Sequence, residues 1–144
     1  MSDSLKLENQ LCHRFYLLSN AFTRAYRPLL EKLDITYPQY LVLMALWEED
    51  NVTIASLISK TGIDPGAMTL ILKKLVTKSV ISITKDEQDK RVKHVCLTDT
   101  GSKLQAQAEE IPAQMLCRFD GVGVEELREH IQFLDKLSAC FGQN

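Results

Sequence analysis

The stretch that most constrains this chain is DPGAMTLILKKLVTKSVISITKDEQDKRVKHVCLT, residues 64–98. Asp64-Pro65 pairs an N-cap acceptor with a proline whose missing N–H is not needed in a first turn, so a helix starts there. The helix is expected to run to about Lys78, with Met68, Ile71, Leu72 and Leu75 on its apolar side and Lys73, Lys74 and Lys78 elsewhere. SVISIT (79–84) and VKHVCLT (92–98) alternate and are rich in β-branched residues, so they read as two strands. The charged loop KDEQDKR joins them. A capped helix that runs straight into a single hairpin leaves few architectures.

The flanking segments narrow them further. Residues 5–33 read as one long helix, with Leu5, Leu11, Cys12, Phe15, Tyr16, Leu18, Phe22, Tyr26, Leu29, Leu30 and Leu33 recurring at three- and four-residue steps. Pro28 is expected to kink or restart it. Thr36 caps a second helix, YPQYLVLMALWEE, with Pro38 in its first turn. NVTI is a short extended piece, and IASLISKTG a short helix ended by Gly62. After the hairpin, a helix is expected from Thr98 or Asp99 to about Cys117. GVG breaks the chain at 121–123, and a last helix covers about 124–141.

This order is a winged helix-turn-helix, mainly α with a small β part (α+β). The capped helix suits the major groove of double-stranded DNA, about 12 Å wide, and the hairpin loop is the wing. The expected organisation is one domain, 1–144, with a DNA-binding module at about 36–99. Long N- and C-terminal helices, about 1–35 and 100–144, carry apolar stripes that their own chain does not fully cover. A homodimer is the simplest way to bury them.

Charge agrees only once it is divided along the chain. The net charge is −2, yet residues 51–100 carry eight Lys/Arg against five Asp/Glu. Residues 1–50 carry five against seven, and residues 101–144 four against seven. A basic middle between acidic ends fits a nucleic-acid module. Four cysteines, at 12, 96, 117 and 140, show no CxxC and no Cys/His ligand spacing, so no metal and no cofactor is expected. No apolar run approaches a membrane span, and MSDSLKLENQ lacks the pattern of a secretory signal. A cytoplasmic location without a membrane partner is the expectation.

DKRVKHVCLT (89–98) resembles the wing signature of the MarR family of transcription regulators: Asp-x-Arg, five residues, then Leu-Thr. The likeness extends over nearly the whole chain. It is closer to the OhrR-type organic hydroperoxide sensors, carried by LENQLC (7–12), YRPLLEKLDITYPQYLVLMALWE (26–48) and LKKL (72–75). Two departures stand out. Asp64-Pro65-Gly66-Ala67 replaces the Asp-Ser-Gly-Thr usual in this branch, and Ser79 stands where relatives commonly have glycine.

The resemblance implies roles for particular residues. Cys12 becomes the peroxide-reacting thiol, where from its helix alone it would be a buried hydrophobe. Thiol oxidation proceeds through the thiolate, and an ordinary thiol has a pKa of about 8.5. Tyr26 and Tyr37 match positions where the branch carries hydrogen-bond donors to that sulfur. Tyr26 lies fourteen residues beyond Cys12 on one expected helix, about 21 Å along the axis at 1.5 Å per residue. If these groups meet, the donors come from the other subunit of an antiparallel dimer. Cys117 matches the resolving cysteine of the two-cysteine subgroup, which implies an intersubunit Cys12–Cys117 disulfide; the sequence leaves a mixed disulfide of Cys12 open as the other oxidised endpoint. Cys96 and Cys140 are expected to be dispensable, and His13 to be a solvated surface residue. In the wing, Arg91 is the expected minor-groove contact, oriented by Asp89. On the recognition helix, Pro65, Gly66, Ala67, Thr69 and Lys73 are the expected DNA-facing positions.

The reading is a dimeric DNA-binding repressor that releases its operator when organic hydroperoxides oxidise Cys12. It is not expected to be an enzyme. Three alternatives stay open from the sequence: a regulator answering to a small aromatic ligand, a thiol peroxidase-like enzyme, and a protein-interaction module that has lost DNA binding, which the hydroxyls missing from the recognition helix keep open.

Overall fold

The computed structural model describes residues 2–142. Its helices are α1 (Leu11–Glu31), α2 (Tyr37–Glu48), α3 (Ile54–Thr61), α4 (Pro65–Thr77), α5 (Asp99–Ala108), α6 (Ile111–Leu116) and α7 (Val124–Ala139). Its strands are β1 (Val52–Thr53), β2 (Ile81–Lys85) and β3 (Lys93–Leu97). They form one antiparallel sheet in the order β1-β3-β2. This is the winged helix-turn-helix expected from the sequence. Residues up to Glu109 make one compact unit and those from Glu110 a second.

In the first unit α2 is the hub. It is apolar nearly all round, with Tyr40, Val42, Leu43, Ala45 and Leu46 buried, and it packs against α1, α3, α4 and α5. A helix without a polar face belongs inside a fold rather than on its surface. Met68, Leu72 and Leu75 of α4, Leu57 of α3, and Ile81 and Val95 of the hairpin close the core around it.

The caps are as the local sequence requires. Thr36 and Gln39 form a reciprocal capping box on α2. Thr53, Asp64 and Thr98 each accept a backbone N–H in the first turn of α3, α4 and α5. Gly62 ends α3 at φ +72°. α4 ends with two reversed bonds, Val80 N–H to Leu75 C=O and Ser79 N–H to Val76 C=O. That Schellman ending holds Ser79 at φ +59°, the conformation glycine adopts without strain.

Three expectations are corrected. The first helix begins at Leu11, not Leu5; residues Asp3–Leu5 and Leu7–Asn9 form 3-10 turns. The side chains of Asn9 and Gln10 donate back to the carbonyls of Asp3, Ser4 and Lys6, and so compete with helix formation. Pro28 does not restart the helix, which is continuous through it. The helix expected to run to Cys117 stops at Ala108 and resumes as α6. Pro112, in the first turn of α6, has no N–H for the Ala108 carbonyl and its ring would collide with it.

Gly101, on α5, has a packing role. A Cβ there would lie 2.0 Å from the Val80 carbonyl oxygen, so only glycine lets α5 approach the root of the hairpin this closely. The Gly101 carbonyl accepts from Trp47 Nε1 at 3.0 Å, tying α5 to α2. Among the described residues no helix is long and apolar enough to cross a membrane.

Candidate functional site

The wing is organised by two carboxylates. Asp86 follows β2 and accepts the backbone N–H groups of Gln88 and Asp89, each at 3.0 Å, through one oxygen. Its other oxygen lies 2.9 Å from His94 Nε2 on β3. The Asp89 N–H, the His94 side chain and the Gln88 N–H hold the Asp86 carboxyl below the usual carboxylate range. Asp89 bonds the Arg91 guanidinium twice, to Nε at 3.1 Å and Nη2 at 3.3 Å, and also accepts the Arg91 backbone N–H. Those Arg91 contacts lower the Asp89 pKa as well. Arg91 is 92 % exposed, an oriented cation at the tip of the loop. The sequence pointed to Asp89 and Arg91 but missed Asp86 and His94; an Asp at the end of a strand, two or three residues before the N–H groups it caps, was the available signal.

On α4 the buried side is Met68, Leu72 and Leu75, with Ile71 half-buried. Pro65, Gly66, Thr69 and Lys73 are exposed and Ala67 is half-buried, so these positions line the outward side of the helix. Asp64 Oδ1 is taken up by the Ala67 N–H at 3.0 Å, and Thr69 Oγ1 donates to the Pro65 carbonyl.

The cysteines and tyrosines form a second group. Cys12 is exposed, in the first turn of α1. His13 beside it is half-buried rather than fully solvated. At the other end of the helix Tyr26 packs on Tyr37, with ring centroids 4.8 Å apart. Tyr40 completes the cluster at 6.0 Å from Tyr26 and 6.3 Å from Tyr37, and meets Trp47 edge-on at 6.4 Å. Burial raises the pKa of all three tyrosines, with their mutual repulsion adding for Tyr26 and Tyr40. They therefore stay protonated, and able to donate, at neutral pH and above. Tyr40 was not singled out from the sequence, although its i+3 spacing from Tyr37 on a helix brings the two together.

Because α1 is unbroken from Leu11 to Glu31, Cys12 and Tyr26 of one chain stay about 21 Å apart along its axis. Leu18 and Phe22 continue a half-exposed apolar stripe from Leu11, at steps of seven and four residues, along the helix toward the tyrosines.

Cys117 is exposed at the C-terminal end of α6, within the second unit. The Cys96 thiol donates to Asn51 Oδ1 at 3.2 Å, and burial, with Asp50 nearby, pushes its pKa up, which disfavours the reactive thiolate. Cys140 is exposed and contacts the Lys136 carbonyl. Among the described residues no cluster of three His, Cys, Asp or Glu side chains is placed to hold a metal.

The MarR family pattern matches residues 35–93, which span α2 through the wing. An organic hydroperoxide resistance transcriptional regulator of Bacillus subtilis is 40% identical over 114 residues, 79% of this chain and 78% of that protein. The chain belongs to the MarR family. Among solved structures, reduced AbfR bound to DNA superposes with a TM-score of 0.81 at 30% identity, covering 98% of this chain and 96% of AbfR. The disulfide-formed AbfR superposes at 0.66 with 31% identity, covering 94% of each chain. This MarR-type protein is thus a DNA-binding transcriptional regulator.

Proposed function

We propose that this MarR-type regulator is a cytoplasmic homodimeric repressor that senses organic hydroperoxides through Cys12. The observation that carries the reading is the separation of an exposed Cys12 from the tyrosine cluster along one continuous helix. Each end of α1 holds half of a sensor. An antiparallel partner, packed on the apolar stripe between them, would bring the tyrosine hydroxyls of one subunit to the cysteine of the other. The long terminal helices act as dimerisation arms. The likeness to a hydroperoxide resistance regulator and to a protein solved in reduced and disulfide forms supports the chemistry.

In the proposed reaction the Cys12 thiolate attacks the terminal hydroperoxide oxygen. The O–O bond breaks, the alcohol leaves with a proton, and the sulfur becomes a sulfenic acid. That acid condenses with the thiol of the partner subunit's Cys117 to give a disulfide and water. Bond formation draws the two Cα atoms within about 7 Å and displaces the recognition helices from the roughly 34 Å register of the two half-sites. In the reduced dimer α4 enters the major groove, with Pro65, Gly66, Ala67, Thr69 and Lys73 facing DNA, and Arg91, aimed by Asp89, enters the minor groove.

The test is fluorescence anisotropy on promoter DNA beside its own gene, with reduced protein and protein given stoichiometric organic hydroperoxide. Wild type should bind reduced and release when oxidised. Cys12→Ser should bind and stay bound. On non-reducing gels oxidised wild type should run as a covalent dimer that is absent in both Cys12→Ser and Cys117→Ser. A covalent dimer persisting in Cys12→Ser would overturn the pairing, and release by Cys12→Ser would overturn the sensor.

A further inference from the structure

We infer that His94 is the positioning residue of the wing: its Nε2–H, donated to Asp86, holds that carboxylate as the cap of the turn that presents Asp89 and Arg91. This rests on the reading that Arg91 meets DNA, and goes beyond it by naming what fixes the loop that carries Arg91.

The position of His94 in the sheet carries the argument. It stands on β3, the middle strand, paired with Thr53 of β1 and with Thr84 of β2. Its backbone is therefore held from both sides, which makes it a firm base for a side chain that must aim another group. Asp86 lies two positions beyond Thr84, so the alternation of β2 returns it to the face of His94. The imidazole Nε2 takes one oxygen of Asp86, at 2.9 Å. The other oxygen is left for the Gln88 and Asp89 N–H groups. Around them the loop closes with Asp86 N–H on the Val92 carbonyl and Val92 N–H on the Asp89 carbonyl, each at 2.9 Å. Asp89, placed by this turn, binds the Arg91 backbone and guanidinium. Arg91 is exposed, and among the described residues its ion pair is with Asp89 alone. Packing does not aim it; the relay His94, Asp86, Asp89 does.

The other ring nitrogen shows that folding alone does not select a histidine here. Asp86 is held below the usual carboxylate range, so at neutral pH it is ionised and only accepts. Nε2 must then carry a proton. Nδ1 is buried with no hydrogen-bond partner among the described residues. A buried polar atom without a partner costs stability, and an apolar residue at this strand position would avoid the cost. Such a local conflict is expected where function selects the residue. What the histidine supplies in return is the bond to Asp86.

The experiment compares wild type, His94→Leu, which removes the donor and the unpartnered Nδ1 together, and His94→Gln, which restores a donor at the reach of Nε2. In the free protein, nitrogen NMR of the imidazole should show Nε2 protonated; a ring protonated at Nδ1 alone overturns the inference. Amide exchange at Gln88 and Asp89 should quicken about tenfold in His94→Leu, the loss of one hydrogen bond to a charged group, and return toward wild type in His94→Gln. Binding to promoter DNA beside its own gene should weaken by a similar factor in His94→Leu and recover in His94→Gln, while thermal melting stays level. In an Arg91→Ala background His94→Leu should cost no further affinity, because the two act as one unit. Wild-type exchange in His94→Leu overturns the inference. So does a full further loss in the Arg91→Ala background, or lowered melting with wild-type binding, which would assign His94 to hairpin folding. Wild-type affinity in Arg91→Ala itself would instead overturn the reading of Arg91 as a DNA contact, and the NMR and exchange measurements, made without DNA, would still decide the role of His94 in the turn.

Discussion

The wing and the sensor helix differ in completeness. In the wing the two carboxylates find their partners within eight positions of the chain: Asp86 is satisfied by Gln88, Asp89 and His94 Nε2, and Asp89 by Arg91. On α1 the chemically matched groups lie at opposite ends of a helix, with Cys12 exposed at one and the tyrosines at the other. The wing can be preorganised for DNA by one chain. The proposed sensor can be assembled only by two, so in the proposed dimer its state is tied to the interface between subunits. A regulator needs this division, because the reading head must stay intact while its placement changes.

The largest expected effect breaks the attachment of the wing itself. Gly101→Ala places a methyl against the Val80 carbonyl and should destabilise the protein by roughly 3 kcal/mol, the upper range for overpacking. Chemical denaturation measures it. A loss below about 0.5 kcal/mol would mean that α5 and the hairpin root shift apart easily. Next, Arg91→Ala should weaken operator binding by roughly 1–3 kcal/mol while melting and dimerisation stay at wild-type values. Binding isotherms beside a thermal melt separate those readouts, and an unchanged affinity would remove Arg91 from the interface.

On the sensor side, Tyr26→Phe and Tyr37→Phe each delete a donor and leave the packing nearly isosteric. A lost hydrogen bond of about 1 kcal/mol should slow oxidant-induced release about fivefold. Stopped-flow anisotropy after hydroperoxide addition checks this, and wild-type rates in both variants would detach the cluster from Cys12. The smallest effect is the pH response of the wing. Asp86 and Asp89 are depressed in the folded protein, so what they contribute is complete above the ordinary carboxylate pKa of about 3.9. It is lost as pH falls through their lowered values. Amide exchange at Gln88 and Asp89 should show protection at pH 5 that fades toward pH 3, after correction for intrinsic rates. Protection unchanged at the lower pH would show the turn to be held by backbone bonds alone.

Most of the architecture was legible because it is written in local rules. Thr36-Tyr37-Pro38-Gln39, Asp64-Pro65, Thr98 and Gly62 mark helix ends through side-chain acceptors, proline and a left-handed glycine, and all act within a few residues. The break after Ala108 was equally local, and Pro112 carried it, but the continuing polar and apolar spacing masked the signal. The start of α1 was misplaced for a related reason. Leu5 and Leu7 keep the helical period, while Asn9 and Gln10 bind the backbone of the preceding turns instead.

By itself the sequence determined the order of elements from α1 to α5, the caps of α2, α4 and α5, the Asp89–Arg91 pair of the wing, and the family to which the chain belongs. Only the tertiary structure decided which distant groups meet. Tyr40 joins Tyr26 and Tyr37 because α1 and α2 pack together, and Trp47 reaches Gly101 across fifty-four positions. Lys85 faces Lys93 because the hairpin register is set by burying Ile81 and Val95; a slip of one residue would turn those side chains to the other face. Caps and periods depend on neighbours in the chain, whereas a cluster or a groove depends on which faces the core has used up, and that is settled only when the whole unit folds.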